Sequence, residues 1–198
     1  MKTLLTSLFV LLTLSATRAS VNPIDLLVQT DPTSRTLTLR TTTGVDLATK
    51  VQLVDANGLV LHTSKLEEGD YLNRRFQLAA LPAGTYTIVV TDAQGKTVQP
   101  FVLDRQGITS DPALATRTFY PRVELQEKLL TINYLNVSGG STRVRLNDAR
   151  GTTVITDRLP AETTVQRAYN LENLPAGEYY VTVSSADVKS YTTSLRLE

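Results

Sequence analysis

The chain has 198 residues, of which 41% are hydrophobic, and its formal net charge is +1. This length allows one or two domains. The near-neutral charge does not favour nucleic acid or an anionic membrane surface as a partner. The chain contains no cysteine, so disulfide bonds are excluded and burial and backbone pairing must stabilise the fold.

The beginning of the chain has the pattern of a secretory signal peptide. Lys2 precedes an uncharged apolar run over residues 4–14, and mostly small residues follow. The run is shorter than the roughly 20 residues that span a bilayer, so no transmembrane anchor is expected. We place the cleavage after Ala19, which removes Lys2 and Arg18 and changes the net charge from +1 to −1.

The remainder of the chain contains the same pattern twice. Residues 35–91 align without a gap onto residues 128–184. Near its end each copy contains a Leu-Pro-Ala-Gly-x-Tyr motif, at 81–86 and at 174–179. A self-match of this length indicates a duplicated domain rather than a short solenoid repeat. The predicted division is a signal peptide at 1–19, a first β-sandwich module at 20–104, a linker at 105–117 and a second β-sandwich module at 118–198.

Apolar and polar residues alternate within each copy, as they do in half-buried β-strands. Leu37 and Leu39 show this period, and so do Val51 and Leu53. About seven short strands per copy, with a turn every 8–12 residues or so, predict an all-β fold of two tandem immunoglobulin-like or fibronectin-like β-sandwiches. Residues 119–125 are predicted to form one continuous strand.

Two kinds of structural residue recur in the copies. The motif tyrosine follows a glycine, and it can bury its ring and donate its hydroxyl to a backbone group upstream. A hairpin turn in each copy pairs an Asp, which accepts backbone N–H groups, with a Gly at positive φ; Asn57 is predicted to share that positive φ. The predicted structural residues are Gly84, Tyr86, Gly177, Tyr179, Asp55, Gly58, Asp148 and Gly151.

No group of side chains indicates a catalytic, cofactor or metal site. His62 is the only histidine, and Ile155 occupies its place in the second copy, which favours an ordinary strand residue. Glu67, Glu68 and Asp70 have the oxygen ligands that Ca²⁺ prefers, but the second copy lacks them, which favours a solvated loop. The protein is therefore expected not to be an enzyme and to use no cofactor.

Two arginines and four aromatic residues are further candidates for ligand contacts. Arg74 and Arg167 recur on the strand before the tyrosine motif, where each would suit an aromatic ring or a carboxylate. Tyr180, Tyr191, Tyr71 and Phe119 are the aromatic residues least tied to the apolar alternation. Sugar-binding modules present flat aromatic platforms, typically with Trp, which this chain lacks. Tyr180 must face away from Tyr179, so it is expected to be an exposed or inter-module ring.

The second copy contains the runs LLTINYLNVSGGSTRVRLNDARGTTVITDRL, YNLENLPAGEYYVTV and YTTSLRLE. With these runs it resembles the small β-sandwich modules of exported Bacteroidota proteins. Two such families are similar, the C-terminal sorting domain of the type IX secretion system and short secreted immunoglobulin-like modules of unknown function. The resemblance implies an exported protein, in the periplasm, at the outer-membrane surface or outside the cell.

Three functions are consistent with these observations. The leading hypothesis is a non-catalytic exported protein with a binding, adhesion or envelope-scaffolding role. The second is a type IX secretion cargo whose C-terminal module is a sorting domain, and the third is a carbohydrate-binding accessory module. The expected partner is a protein or a glycan at the cell envelope, and nucleic acid is not expected.

Overall fold

The computed structural model describes residues 26–31 and 35–198, and their regular structure is β-strand apart from one 3-10 turn. The predicted signal peptide at 1–19 lies outside the described residues. In the first half the strands are β1 (Leu26–Asp31), β2 (Thr36–Thr41), β3 (Thr49–Val54), β4 (Val60–Leu66), β5 (Asn73–Gln77), β6 (Gly84–Thr91), β7 (Gly95–Leu103), β8 (Ile108–Thr109) and β9 (Thr116–Phe119). In the second half they are β10 (Arg122–Gln126), β11 (Leu129–Leu135), β12 (Ser141–Asp148), β13 (Thr153–Ala161), β14 (Thr164–Asn170), β15 (Gly177–Ser184) and β16 (Tyr191–Leu197).

Each half is a sandwich of two antiparallel sheets. In the first half the sheets run β1-β2-β5 and β4-β3-β6-β7, and the second sheet continues into β8 and β9 along the outer edge of β7. In the second half the sheets run β10-β11-β14 and β13-β12-β15-β16. The two halves share one strand order, which is that of a fibronectin-like sandwich. The predicted all-β fold with tandem sandwiches is therefore confirmed.

Each sandwich has an apolar core of its own. Leu37 and Ile88 are fully buried in the first core, as Ile132 and Val181 are in the second. Inward positions alternate with polar outward ones because successive side chains of a strand point to opposite faces. Burying one such side chain contributes about 1.5–3 kcal/mol, so the alternation seen in the sequence accounts for most of the stabilisation.

The segment between the modules carries more structure than the sequence indicated. Within residues 105–117, predicted as a linker, β8 pairs with the end of β7, and a 3-10 turn follows at Pro112–Leu114. The chain then returns along β7 as β9. The exact boundaries of the modules remain a prediction, but this segment is paired backbone rather than a free tether.

The prediction of one strand over residues 119–125 is wrong. β9 ends at Phe119 and β10 begins at Arg122, with Tyr120 and Pro121 between them. Pro121 has no N–H to donate to a ladder and restricts the residue before it. The break lets the chain leave a sheet of the first sandwich and enter the three-stranded sheet of the second.

The returning strand determines which ends of the two modules meet. Phe119 lies opposite Gly95, the first residue of β7, and the Tyr120 N–H donates to the Gln94 carbonyl over 2.8 Å. The Tyr120 ring in turn stacks on Tyr191, the first residue of β16. β7 and β16 hold the same place in the two sandwiches, and both begin at this contact. The modules therefore meet through equivalent ends, head to head.

Gly95→Ala tests the pairing of β9. A methyl group at Gly95 would collide with the backbone carbonyl oxygen of Thr118, so β9 must move away from β7. We expect a loss of about 1–3 kcal/mol in the free energy of unfolding, measured by urea titration. Gly84→Ala is the matched control, because a methyl group at Gly84 has no atom within 4 Å; equal effects of the two substitutions would contradict the assignment.

Candidate functional site

The tyrosine of each motif connects the core to the preceding loop. The Tyr86 hydroxyl donates to the Pro82 carbonyl over 2.8 Å, and the Tyr179 hydroxyl donates to the Pro175 carbonyl over 2.9 Å. Both rings are buried, and Tyr86 also stacks on Phe101 with ring centroids 5.6 Å apart. The same bond in both copies closes the loop that leads into β6 or β15.

The glycines of the two motifs differ in their surroundings. Gly84 has open space around it, whereas Gly177 has a φ of +156° and would place a methyl group 4.0 Å from the Tyr179 ring. The backbone conformation therefore favours glycine at position 177, whereas it does not require glycine at position 84.

The hairpin turns of the two copies have the same geometry. Asp55 accepts the Asn57 and Leu59 N–H groups at 2.9 and 2.8 Å. Asp148 accepts the equivalent N–H groups of Arg150 and Thr152, also at 2.9 and 2.8 Å. Each carboxylate thus accepts two backbone N–H groups of its own turn that would otherwise lack an acceptor.

The predicted positive φ at Asn57 is wrong. Gly58 and Gly151 have φ values of +85° and +82°, whereas among the described non-glycine residues only Arg35 and Glu127 have positive φ. One left-handed residue suffices because the turn has three residues or more and ends in a glycine. This explains why the second copy tolerates an arginine in place of Asn57.

The other sequence candidates are dispersed. His62 lies edge-on to Phe76 with centroids 5.1 Å apart, and its Nε2 is 3.1 Å from the Ser64 hydroxyl. Asp70 accepts the Glu67 N–H over 2.8 Å. Residues 26–31 and 35–198 contain no group of three or more acidic, His or Cys side chains that could hold a metal ion.

The two recurring arginines form no common site with Tyr71 and Tyr180. Arg74 lies on β5 opposite Leu39, and the Arg167 guanidinium donates to the Gln166 carbonyl over 3.0 Å. Tyr71 is exposed on the first module, whereas Tyr180 lies half-buried on the outer face of the second. Tyr71 and Tyr180 therefore lie on different modules.

The head-to-head junction is a further side-chain cluster, and it contains two of the sequence candidates, Phe119 and Tyr191. Arg117 lies 3.3 Å from Asp92, with 15% and 7% of the two side chains exposed. Its guanidinium carbon is also 5.3 Å from the centre of the Phe119 ring. Tyr120 and Tyr191 stack with centroids 5.5 Å apart. Burial raises the pKa of Tyr120, and the negative charge of Asp92 raises that pKa further.

Two more tyrosines of the second module, the buried Tyr134 and the half-buried Tyr169, form side-chain hydrogen bonds. The Tyr169 hydroxyl donates to Asp157 over 2.9 Å, and burial together with this bond raises the pKa of Tyr169 far above its usual range. Burial also raises the pKa of Tyr134, whose hydroxyl lies 2.7 Å from that of Ser185. Both phenols therefore stay neutral and act as hydrogen-bonding groups of the sandwich.

A family comparison assigns both modules. The profile of the secretion system C-terminal sorting domain matches residues 31–104 and again residues 126–195, which together make up well over half of the chain. The chain belongs to this family. It is therefore an exported protein, and within the described residues no helix is long and apolar enough to cross a membrane. No curated protein matches the sequence.

Several solved structures align with the chain at low sequence identity. The BSP domain of a biofilm-associated protein is 16% identical with a TM-score of 0.29, and 86% of this chain covers 29% of that one. A two-domain fibronectin type III segment of chicken tenascin is 18% identical with a TM-score of 0.31, and the alignment covers 88% of this chain and 99% of that one. The 47-kilodalton lipoprotein Tp47 of Treponema pallidum is 13% identical with a TM-score of 0.28, and the alignment covers 86% of this chain and 49% of that one. The chain thus spans less than a third of the first of these proteins.

The tyrosine bonds of this sorting-domain protein can be tested by removing one hydroxyl at a time. Tyr86→Phe and Tyr179→Phe each remove the hydrogen bond that joins a buried ring to its loop, so each should lower the free energy of unfolding by about 0.5–1.5 kcal/mol. Tyr71→Phe is the control, since Tyr71 is exposed. Unfolding free energies equal to that of the parent would show that the hydroxyls do not stabilise the corners.

The junction can be tested at Arg117. Arg117→Gln leaves the Asp92 carboxylate buried without its cation, which should cost about 2–3 kcal/mol in the free energy of unfolding. The control is Arg122→Gln, because the Arg122–Glu124 pair is largely exposed and such pairs contribute about 1 kcal/mol or less. A cost below that of the control would contradict the junction's role.

Proposed function

We propose that the chain is a non-catalytic cargo of the type IX secretion system, in which the second module is the sorting domain and the first module is the part displayed. The match of the sorting-domain family to residues 126–195 is the observation that carries this proposal. The predicted signal peptide at 1–19 and a Bacteroidota source belong to the proposal, since a cargo must first enter the periplasm.

The family matches both modules, so something must distinguish them for the secretion machinery. In the first module the outer edge of β7 is covered by β8 and β9. In the second, no strand of the described residues covers the equivalent edge of β16. Unpaired N–H and C=O groups at such an edge are a template for an added strand.

The other outer edge of the same sheet is less suited to strand addition. β13 shows two register shifts against β12 and contains Pro160, and both features hinder edge-to-edge pairing. β16 pairs with β15 in continuous register from Tyr191 to Leu197. This contrast supports β16 as the edge that the secretion machinery reads in the second module.

A binding role of the first module is supported by its β3–β4 hairpin. Leu59, Val60 and Leu61 are exposed at its tip, Leu59 to 62%. The second module has the polar Thr152 and Thr153 at the first two of these positions. Contiguous exposed apolar residues mark protein contacts more often than isolated ones do, so a protein partner fits the displayed module.

The absence of catalysis rests on the residues themselves. His62 contacts the Phe76 ring and the Ser64 hydroxyl rather than a carboxylate. Nucleophilic catalysis needs a nucleophile, a base and a group that orients the base, and the described side chains do not assemble such a set.

Secretion assays in a host with a type IX system test the proposal. A chain ending at Tyr120 keeps β8 and β9, so the first module retains its covered edge. We expect this chain to accumulate in the periplasm, whereas the full chain reaches the cell surface or the medium.

A chimeric chain separates the roles of the two modules. The second module is replaced by another copy of residues 26–120, which restores the size of the chain and supplies the other family match. We expect this chimera to remain in the periplasm. Surface export of either altered chain, measured by protease accessibility, would refute the assignment of the second module as the sorting domain.

A further inference from the structure

Three arginines lie side by side on the outer face of the second module. Val144 and Leu146 of β12 point into the core, so Arg143 and Arg145, which alternate with them, point outward and are exposed. Arg158 of the neighbouring β13 lies directly opposite Arg143. Side chains opposite one another on adjacent strands are about 5 Å apart at Cβ, and diagonal neighbours about 7 Å. We call Arg143, Arg145 and Arg158 the arginine triad.

Nothing in the described structure neutralises the triad. The ion pairs there involve Arg117, Arg122 and Arg150, none of them in the triad. Asp157 is next to Arg158 in sequence, but it lies opposite the buried Val144 and accepts the Tyr169 hydroxyl on the core side. Like charges placed directly opposite on a sheet destabilise it.

The first module repeats this unfavourable arrangement. Lys50 of β3 lies directly opposite Lys65 of β4, at the positions equivalent to Arg143 and Arg158. Thr91 continues the row on β6, and Lys96 of β7 lies opposite Thr91. In both modules the pair lies at the end of the sheet that faces the junction. The two copies differ in sequence, yet both have two cations opposite each other at this place, although the repulsion between them destabilises the sheet.

We propose that the outer face of β13-β12-β15-β16 binds an anionic polysaccharide through the arginine triad. A guanidinium presents a planar fork that bonds carboxylate, sulfate or phosphate groups in a bidentate manner. Thr156 lies opposite Arg145 on one side, and Ser184 lies opposite Arg143 on the other. These hydroxyls can bond the sugar hydroxyls between the charged groups of the polymer.

The surroundings of the triad favour a glycan over other polyanions. Single-stranded nucleic acid is held by exposed aromatic platforms, whereas Tyr180, the aromatic residue of this face, is half-buried and two positions beyond Thr182. Lipid surfaces are bound by apolar residues beside the cations, and the neighbours of the triad are hydroxyl residues. An exported protein also meets polysaccharides directly.

Binding of the full chain to immobilised heparin, a sulfated and carboxylated polysaccharide, tests the proposal. Replacing the triad in Arg143→Gln, Arg145→Gln, Arg158→Gln should weaken binding by about tenfold or more and reduce its dependence on salt. The matched control, Lys128→Gln, Arg150→Gln, Arg167→Gln, removes the same charge elsewhere on the second module and should bind like the parent. Arg158→Gln alone, on the edge strand, should weaken binding with an unfolding midpoint that is unchanged or higher, because it relieves the opposed charges.

Several outcomes would overturn the proposal. One is equal heparin binding by the triad variant and the parent, and another is an equal loss in the control. Binding of an oligo-thymidine or of phosphatidylglycerol vesicles as tightly as heparin would refute the glycan assignment. Neutral dextran should not bind, and a triad-dependent affinity for dextran would contradict the role of charge.

Discussion

The packing of inward-facing aliphatic side chains between two sheets is the interaction on which the structure depends. Without cysteine, neither sandwich has a covalent brace. Tyr86 and Tyr179 extend this packing to the surface, because each ring lies in the core while its hydroxyl bonds a loop carbonyl. One side chain therefore ties the entrance of a central strand to the interior, and both copies have kept it.

The junction adds a second, polar level of organisation. Arg117 of β9 forms an ion pair with Asp92. Tyr120, which follows β9 directly, stacks on Tyr191 of the second module. The covered edge of β7 and the contact between modules thus arise from one segment. A change in that segment affects both the accessible sheet edges and the relative placement of the modules.

The fold was largely predictable from the sequence because its signals are local. Alternation sets the strands, and Asp55 and Asp148 mark turns whose hydrogen bonds span only a few residues. The strand β9 was missed because it has no apolar alternation of its own and forms by pairing with a distant strand. The arginine triad was missed for the same reason, since Arg143 and Arg158 become neighbours only through strand register.

The head-to-head contact has a consequence for what the molecule presents to its surroundings. The hairpins at Gly58 and Gly151 lie at the ends of β3 and β12 that are remote from the junction. In a head-to-tail array, equivalent loops repeat at a fixed step in one direction. Here they stand at opposite poles, so an object recognised by either tip would be reached from two sides, and the protein has the geometry of a bridge rather than of a rod.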